Sequence, residues 1–112
     1  MKVKDLCKPS IRRVEFSKKS QHIVPCKSGA YVLSTYFEEI LYIGVSQNLQ
    51  RRMLEHLNDQ AKVENTPLGK AFWISYLLCS EKDFRFYEKG WIFAFQLAEG
   101  KRPYYNKIDP PC

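Results

Sequence analysis

The sequence predicts an α/β domain, and two features of its pattern lead to that class. Three short runs are rich in β-branched and aromatic residues, which favour strands, and two longer segments repeat apolar residues at helical spacing. With 112 residues, 45% of them apolar, the chain suits one core, because two separate cores would each have too little material. We therefore expect a single domain that contains both strands and helices.

The three predicted strands lie on either side of the first predicted helix. Residues 30–37 and 39–45 form a hairpin, with the polar pair Glu38-Glu39 between them. Residues 71–79 form the third strand, which is long and apolar enough to be central in a small sheet. Residues 63–70 contain Asn, Pro and Gly and are predicted to be a connection.

The first helix is predicted over residues 47–59. Ser46 is placed as its N-cap, and the apolar stripe is made by residues that recur every fourth position, Leu49, Met53 and Leu57.

The second helix is predicted within residues 80–100. It opens with Ser80 and Asp83 in N-cap and N3 positions and closes at Gly100. The proline-rich residues 101–112 are expected to be irregular.

The net charge of +6 is concentrated at the N-terminus. Residues 1–28 carry eight Lys and Arg against two acidic residues, whereas residues 29–112 carry ten of each sign. We therefore divide the chain into a basic segment, 1–28, and a domain, 29–112. This asymmetry suggests a polyanion such as a nucleic-acid backbone, and a solvated basic tail explains it equally well.

The chain is expected to be soluble and cytoplasmic. It has no run near the ~18 apolar residues of a membrane span, and its N-terminus alternates lysine with apolar residues, unlike a signal peptide. The cysteines show no C-x-x-C spacing, so free thiols are favoured over a metal site at Cys7, His22 and Cys26.

Glu88 is out of place on the second helix. Its neighbours at helical spacing are apolar, namely Phe84, Trp91, Ile92 and Phe95, so its carboxylate lies on or beside the buried face. A charge there needs compensation. Either a salt bridge or a divalent cation, which prefers oxygen ligands, can supply it.

Arg52 and His56 share one face of the first helix, the face opposed to the apolar stripe. Most such pairs are solvated, but together they can also clamp a phosphate, because Arg matches two phosphate oxygens at once. Tyr31 and Tyr42 lie on adjacent strands and can be ordinary cross-strand aromatics.

Taken in order, these residues resemble the catalytic module of the GIY-YIG nucleases. The first tripeptide is "GAY" at 29–31, the second is "YIG" at 42–44, and the family's helix follows as "SQNLQRRMLEH" at 46–56. "EKGWI" at 88–92 is similar to the segment with the family's glutamate, and "PYYN" at 103–106 to the terminal segment that ends in asparagine. Five landmarks in the right order indicate this family.

The resemblance implies a fold and an activity. The fold is a small α/β sandwich with a three-stranded antiparallel sheet flanked by helices, and the activity is metal-dependent hydrolysis of a DNA phosphodiester. Ala30 stands where the first motif has Ile, but that residue contributes packing and not chemistry. We therefore expect the exchange to leave activity intact.

The resemblance also implies roles for four residues of the first motifs and helix. Tyr31 would be the general base, which requires its pKa to be drawn down by a nearby positive charge, and Arg52 would supply that charge and hold the scissile phosphate. Tyr42 would hydrogen-bond the attacking water or the phosphate. His56 would orient the phosphate or assist proton movement.

Two further roles concern the metal. Glu88 would be the only protein carboxylate on one Mg²⁺ or Mn²⁺, with waters and phosphate oxygens completing the ligands. Asn106 would fix either a backbone contact or a metal-bound water. Gly44 and Asn48 are assigned to the scaffold, for a close backbone approach and for the start of the helix.

DNA is thus the expected partner, in repair intermediates, branched structures or invading DNA. A protein partner or a homodimer would supply specificity. Two other hypotheses stay open: a nucleic-acid-binding accessory subunit with little activity alone, and a structural domain in which Glu88 pairs with a lysine.

Overall fold

The computed structural model of the protein describes residues 1–6 and 11–106. Cys7, one of the candidate metal ligands, and most of the proline-rich tail lie outside these residues. The elements in chain order are α1 Val3–Leu6, β1 Arg12–Glu15, β2 Gly29–Ser34, β3 Ile40–Ser46, α2 Leu49–Leu57, α3 Gln60–Val63, β4 Asn65–Thr66, β5 Gly69–Lys70, β6 Trp73–Leu78 and α4 Phe84–Glu99, with 3-10 turns at Lys18–Ile23 and Glu81–Asp83. Among the described helices, none has the length and hydropathy needed to cross a membrane.

The main sheet has four antiparallel strands in the order β1-β6-β2-β3, not the predicted three. The additional strand, β1, lies in the basic N-terminal segment and pairs with β6 from Arg12 opposite Tyr76 to Glu15 opposite Trp73. The sequence did not predict this strand, because only Val14 of its four residues is buried. β6 lies inside the sheet, as expected, and β4 and β5 form a separate ribbon within the predicted connection.

The sheet carries a helix on each face. α2 covers one face, where Leu49 and Met53 pack with Tyr31 and Leu33 of β2. α4 covers the other, where its buried residues Ile92 and Phe95 pack with Val32, Ile40 and Ile43. The alternation of side chains along β2 therefore sends Tyr31 toward α2 and Val32 toward α4.

A β-bulge in β3 decides which face receives Tyr42. Leu33 pairs with Tyr42 and Ser34 pairs with Ile40, so Leu41 is an extra residue without a partner on β2. As a result the consecutive residues Leu41 and Tyr42 both belong to the α2 side of the core. Bulges re-aim side chains in this way beside functional sites.

α2 begins later than predicted. Its N-cap is Asn48, whose side chain accepts a hydrogen bond from the backbone N–H of Arg51 at 3.0 Å, so the assignment of Ser46 as the cap is wrong. Ser46 instead uses its hydroxyl to accept from the Asn48 N–H and donate to the Asn48 carbonyl. At the other end of the chain, α4 ends as predicted at Gly100, whose φ of 74° is in the left-handed region that glycine adopts without strain.

Candidate active site

Three aromatic side chains meet between the sheet and α2. The Tyr31 hydroxyl lies 2.6 Å from Nε2 of His56, and the ring centroids of Tyr31 and Tyr42 are 5.9 Å apart. Tyr42 and His56 make an edge-on contact at 5.1 Å. Tyr31 is 1% exposed and His56 7% exposed, whereas Tyr42 is only half-buried, so Tyr42 presents the cluster to solvent.

His56 differs in position from the sequence-based expectation. It was placed on the face opposed to the apolar stripe, but it is buried together with Leu49 and Met53. The reason is its spacing, because His56 follows Met53 by three residues and so lies on the same side of the helix. Leu57, predicted for the stripe, packs only partly against the core.

Gly44 makes the approach of the two tyrosines sterically possible. A Cβ at this position would lie 2.8 Å from the Tyr31 hydroxyl oxygen and 2.8 Å from a ring carbon of Tyr42. The sequence predicted a close approach at this glycine. The groups that approach it are the two phenol rings.

The pKa of Tyr31 does not fall as the proposed base role requires. Burial raises the pKa of Tyr31 well above 10, and the neighbouring Tyr42 raises it further, while the charge of Arg52 offsets only part of this. Arg52 thus lowers this pKa as expected, but burial outweighs its charge and the net shift is upward. Burial also raises the pKa of Tyr42, but there the contact with Tyr31 and the charge of Arg52 both oppose it.

His56 is neutral at physiological pH. Burial lowers the pKa of His56 from 6.5 to about 3, and the positive charges of Lys62 and Arg52 act in the same direction. A neutral imidazole has one N–H donor and one acceptor, so it can serve the Tyr31 hydroxyl as either.

This pKa predicts acid sensitivity. Between pH 6.5 and about 3 the unfolded chain protonates His56 and the folded chain does not, so the stability that this residue contributes is lost as the pH falls through that range. We expect this contribution to the free energy of unfolding to fall by about 3 kcal/mol from pH 7 to pH 4. Urea denaturation of the wild type and of His56→Gln at pH 7 and at pH 4 measures this contribution. An equal loss of stability in the two proteins would contradict the assignment.

Arg52 lies beside this cluster at the surface. Its side chain is 45% exposed and pairs with Glu55 at 3.1 Å, an arrangement that leaves the guanidinium accessible. Its positive charge nevertheless acts on the pKa values of Tyr31, Tyr42 and His56. The structure therefore brings this cation to the same cluster, as the sequence predicted.

The charge of Glu88 acts on this cluster from the helix on the other face of the sheet. It is 6% exposed on α4, and its negative charge raises the pKa values of both Tyr31 and Tyr42. Burial raises the pKa of the Glu88 carboxyl itself. No described residue donates a hydrogen bond to this carboxylate or forms an ion pair with it, so the predicted salt bridge is not the compensation observed.

The surroundings of Glu88 fit a hard divalent cation held by one protein ligand. Its carboxylate is buried, lacks a partner among the described residues and lies near phenol groups, which suits an oxygen-seeking ion. The described residues contain no group of three or more His, Cys, Asp and Glu side chains able to hold a metal. The remaining ligands would then come from water and substrate.

Of the cysteines, Cys26 and Cys79 are free thiols.

Asn106 contacts the sheet backbone. Its side chain is 1% exposed, accepts from the backbone N–H of Ile43 and donates to the Ile43 carbonyl, both at 2.8 Å. Beside it, the Tyr105 N–H donates to the carbonyl of the bulged residue Leu41 at 2.8 Å. Of the two alternatives for Asn106, this geometry supports the backbone contact.

Lys62 is a member of the site that the sequence did not indicate. Its side chain is only 16% exposed, and its Nζ lies 5.3 Å from the ring centroid of Tyr42. The chain returns to the site because a turn after α2 leads into α3, which Asp59 caps by accepting from the Ala61 N–H. The spacing of residues in the sequence does not predict that the chain comes back to the site at Lys62.

The sheet order, the helices on both faces and the paired tyrosines define the class: the chain has the GIY-YIG fold. The solved structures that it resembles include the GIY-YIG N-terminal endonuclease domain of UvrC from Thermotoga maritima bound to magnesium, described as its catalytic divalent cation. Identity is 20%, the alignment covers 80% of this chain and 93% of that one, and the TM-score is 0.57.

Two point mutants of the same domain, each bound to its catalytic divalent cation, match equally well. One replaces a tyrosine by phenylalanine, with 19% identity over 81% of this chain and 94% of that one and a TM-score of 0.58. The other replaces an asparagine by alanine, with 18% identity over the same shares and the same TM-score. No family model matches this sequence, and no curated protein matches it. At these identities the likeness shows the fold.

Proposed function

We propose that the protein is a metal-dependent DNA endonuclease. One observation carries this proposal: an accessible guanidinium, Arg52 on α2, and a buried carboxylate without a described partner, Glu88 on α4, lie close enough to the same tyrosine pair for both charges to influence its pKa values. The UvrC domains of similar fold are endonuclease domains that bind a catalytic divalent cation, which supports the same chemistry here.

Hydrolysis of a phosphodiester needs a proton acceptor for the attacking water, and we assign that role to Tyr42. Of the two tyrosines it is the more exposed, and although burial raises the pKa of both, at Tyr42 the contact with Tyr31 and the charge of Arg52 oppose the rise. The interaction between the phenols lowers the pKa of Tyr42 and raises that of Tyr31, so once Tyr42 has lost its proton the Tyr31 hydroxyl would donate to the Tyr42 oxygen. Tyr31 is then a positioning residue.

His56 completes this chain of hydrogen bonds. If Tyr31 donates to Tyr42, its own oxygen is free to accept from Nε2–H of neutral His56 across the 2.6 Å contact. His56 then donates to Tyr31, and Tyr31 in turn donates to the Tyr42 oxygen that takes the proton of the water. The chain His56 to Tyr31 to Tyr42 thereby stabilises negative charge on Tyr42.

The phosphate is held by Arg52 and the metal by Glu88. The guanidinium can bond two phosphate oxygens in the plane of its fork, which also orients the phosphorus toward the water beside Tyr42. A bound Mg²⁺ or Mn²⁺ supplies neutralisation of the charge that develops on the phosphate and on the leaving oxygen. Asn106 fixes Ile43, which lies between Tyr42 and Gly44 on the strand that presents the base.

Nicking of supercoiled plasmid tests this function. We expect the wild-type protein to convert supercoiled DNA to the open circle with Mg²⁺ and to stop when EDTA is added. Arg52→Ala is expected to lose roughly 10²-fold or more in rate, because a charge-assisted contact to the transition state is removed.

Arg51→Ala is the matched control. Arg51 lies next to Arg52 on α2, is also exposed and also faces Glu55, at 3.9 Å. It has no described contact with the tyrosine pair, so its variant should cut at nearly the wild-type rate. Cleavage that persists without a divalent cation, or equal rates for the two variants, would overturn the proposal.

A further inference from the structure

A cavity of about 290 Å³ opens beside the candidate active site. It lies between α3, the β4-β5 ribbon and the C-terminal segment, and its walls include Lys62, Asn65, Tyr104 and Tyr105. No role assigned above uses this cavity. Its volume is at the lower end of ligand-binding pockets, which suits one planar ring system and not a larger ligand.

Lys62 joins the cavity to the reaction site. Its Nζ lies 5.3 Å from the ring centroid of Tyr42 and 5.3 Å from that of Tyr105, so the two centroids are at most twice that distance apart. An ion pair with Asp59 at 3.4 Å holds the amine in place. A group bound in the cavity would therefore be a direct neighbour of a phosphate bound at Tyr42.

The chemistry of the walls matches a nucleobase. Tyr104 and Tyr105 form an edge-on pair with centroids 5.3 Å apart, and Tyr104 is 37% exposed, so the cavity has aromatic walls of the kind on which bases stack. Asn65 is exposed and its amide makes no hydrogen bond with a described residue, which leaves a donor and an acceptor for the edge of a base. Lys62, held by its ion pair with Asp59, presents its amine to the adjoining backbone, and the exposed Glu64 also lines the cavity.

We propose that this cavity receives one unpaired base next to the scissile phosphate, so that the preferred substrate is DNA with an unpaired nucleotide at the cleavage position. A paired base lies inside the duplex stack and could enter only after extrusion, which costs unpairing and unstacking energy; a base that is already unpaired avoids that cost. This inference rests on the proposed nuclease function and specifies its substrate class.

Binding tests the inference without requiring cleavage. Three labelled duplexes of one sequence are titrated by fluorescence anisotropy with the Glu88→Gln variant, which is not expected to cut. One is fully paired, one has a single extra nucleotide, and one has the same extra nucleotide without its base. We expect the duplex with the extra base to bind about tenfold more tightly than both others, because the gain comes from stacking of the base.

Two further variants, in the same Glu88→Gln background, locate the effect. Tyr104→Ala is expected to abolish the preference, whereas Phe86→Ala should keep it, since Phe86 is an exposed aromatic residue of α4 that forms an edge-on pair with Tyr87 at 5.2 Å. Tight binding of the abasic duplex would show that the protein reads a bent backbone and would overturn the base pocket. A preference unchanged in Tyr104→Ala would do the same.

The binding experiment and the cleavage experiment can fail independently of each other. If wild-type protein nicks plasmid but the Glu88→Gln variant binds the three duplexes equally, the nuclease proposal stands and the base pocket is wrong. If the preference is present but no DNA is cut with any divalent cation, the pocket stands and the catalytic proposal is wrong.

Discussion

Replacing Glu88 by Gln is expected to abolish DNA cleavage and, at the same time, to stabilise the fold. Rates of plasmid nicking should fall by at least roughly 10³-fold, because the only proposed protein ligand of the cation is lost. Without divalent cation, the free energy of unfolding should rise by about 1 kcal/mol, because a buried carboxylate without a described partner becomes a neutral amide. Nicking assays and urea denaturation measure the two effects.

Ligand linkage gives this prediction a second readout. Mg²⁺ should raise the melting temperature of the wild type and leave that of Glu88→Gln unchanged, since only a protein that binds the ion is stabilised by it. Glu81→Gln removes an exposed carboxylate just before α4 and should behave as wild type in both assays. Equal stabilisation of wild type and Glu88→Gln by Mg²⁺ would place the metal elsewhere.

Gly44→Ala is expected to damage both activity and stability through a single methyl group. That methyl would lie 2.8 Å from the Tyr31 hydroxyl and 2.8 Å from the Tyr42 ring, so the two phenols must move apart. Overpacking of this kind costs about 1–3 kcal/mol of stability. Displacement of the proposed base by up to about 1 Å should lower the cleavage rate by roughly 10²-fold.

Gly90→Ala is the control for this substitution. Gly90 lies within α4, and a Cβ there would have no neighbour within 4 Å. Because alanine favours a helix over glycine, this variant should be more stable by about 0.5–1 kcal/mol and equally active. A Gly44→Ala protein with wild-type stability and rate would show that the tyrosine pair tolerates separation.

The sequence predicted those elements whose signals are local. The hairpin, the central third strand and the second helix with its end at Gly100 follow from residue type, periodicity and capping, and the structure contains all of them. The fourth strand was missed because two arginines and a glutamate accompany its one buried residue, Val14, so neither periodicity nor propensity marks it.

The residues that the sequence assigned to one site come from distant parts of the chain. The structure brings together Tyr31, Tyr42, His56 and the charges of Arg52 and Glu88. The sequence could not predict whether burial or the charge of Arg52 has the larger effect on the pKa of Tyr31. That depends on how completely α2 covers the ring. The sequence also did not predict the bulge at Leu41, because one additional residue does not change the strand-like composition of β3.

The amide of Asn106 has a consequence for self-association. An Asn side chain presents an N–H beside a C=O, as the backbone of a strand does, and here it pairs with both the N–H and the C=O of Ile43 on the outer strand. Together with the Tyr105 N–H it acts as a short substitute for a fifth strand. The outer edge of β3 is thereby closed to strand addition from another molecule, the usual route by which exposed sheet edges aggregate.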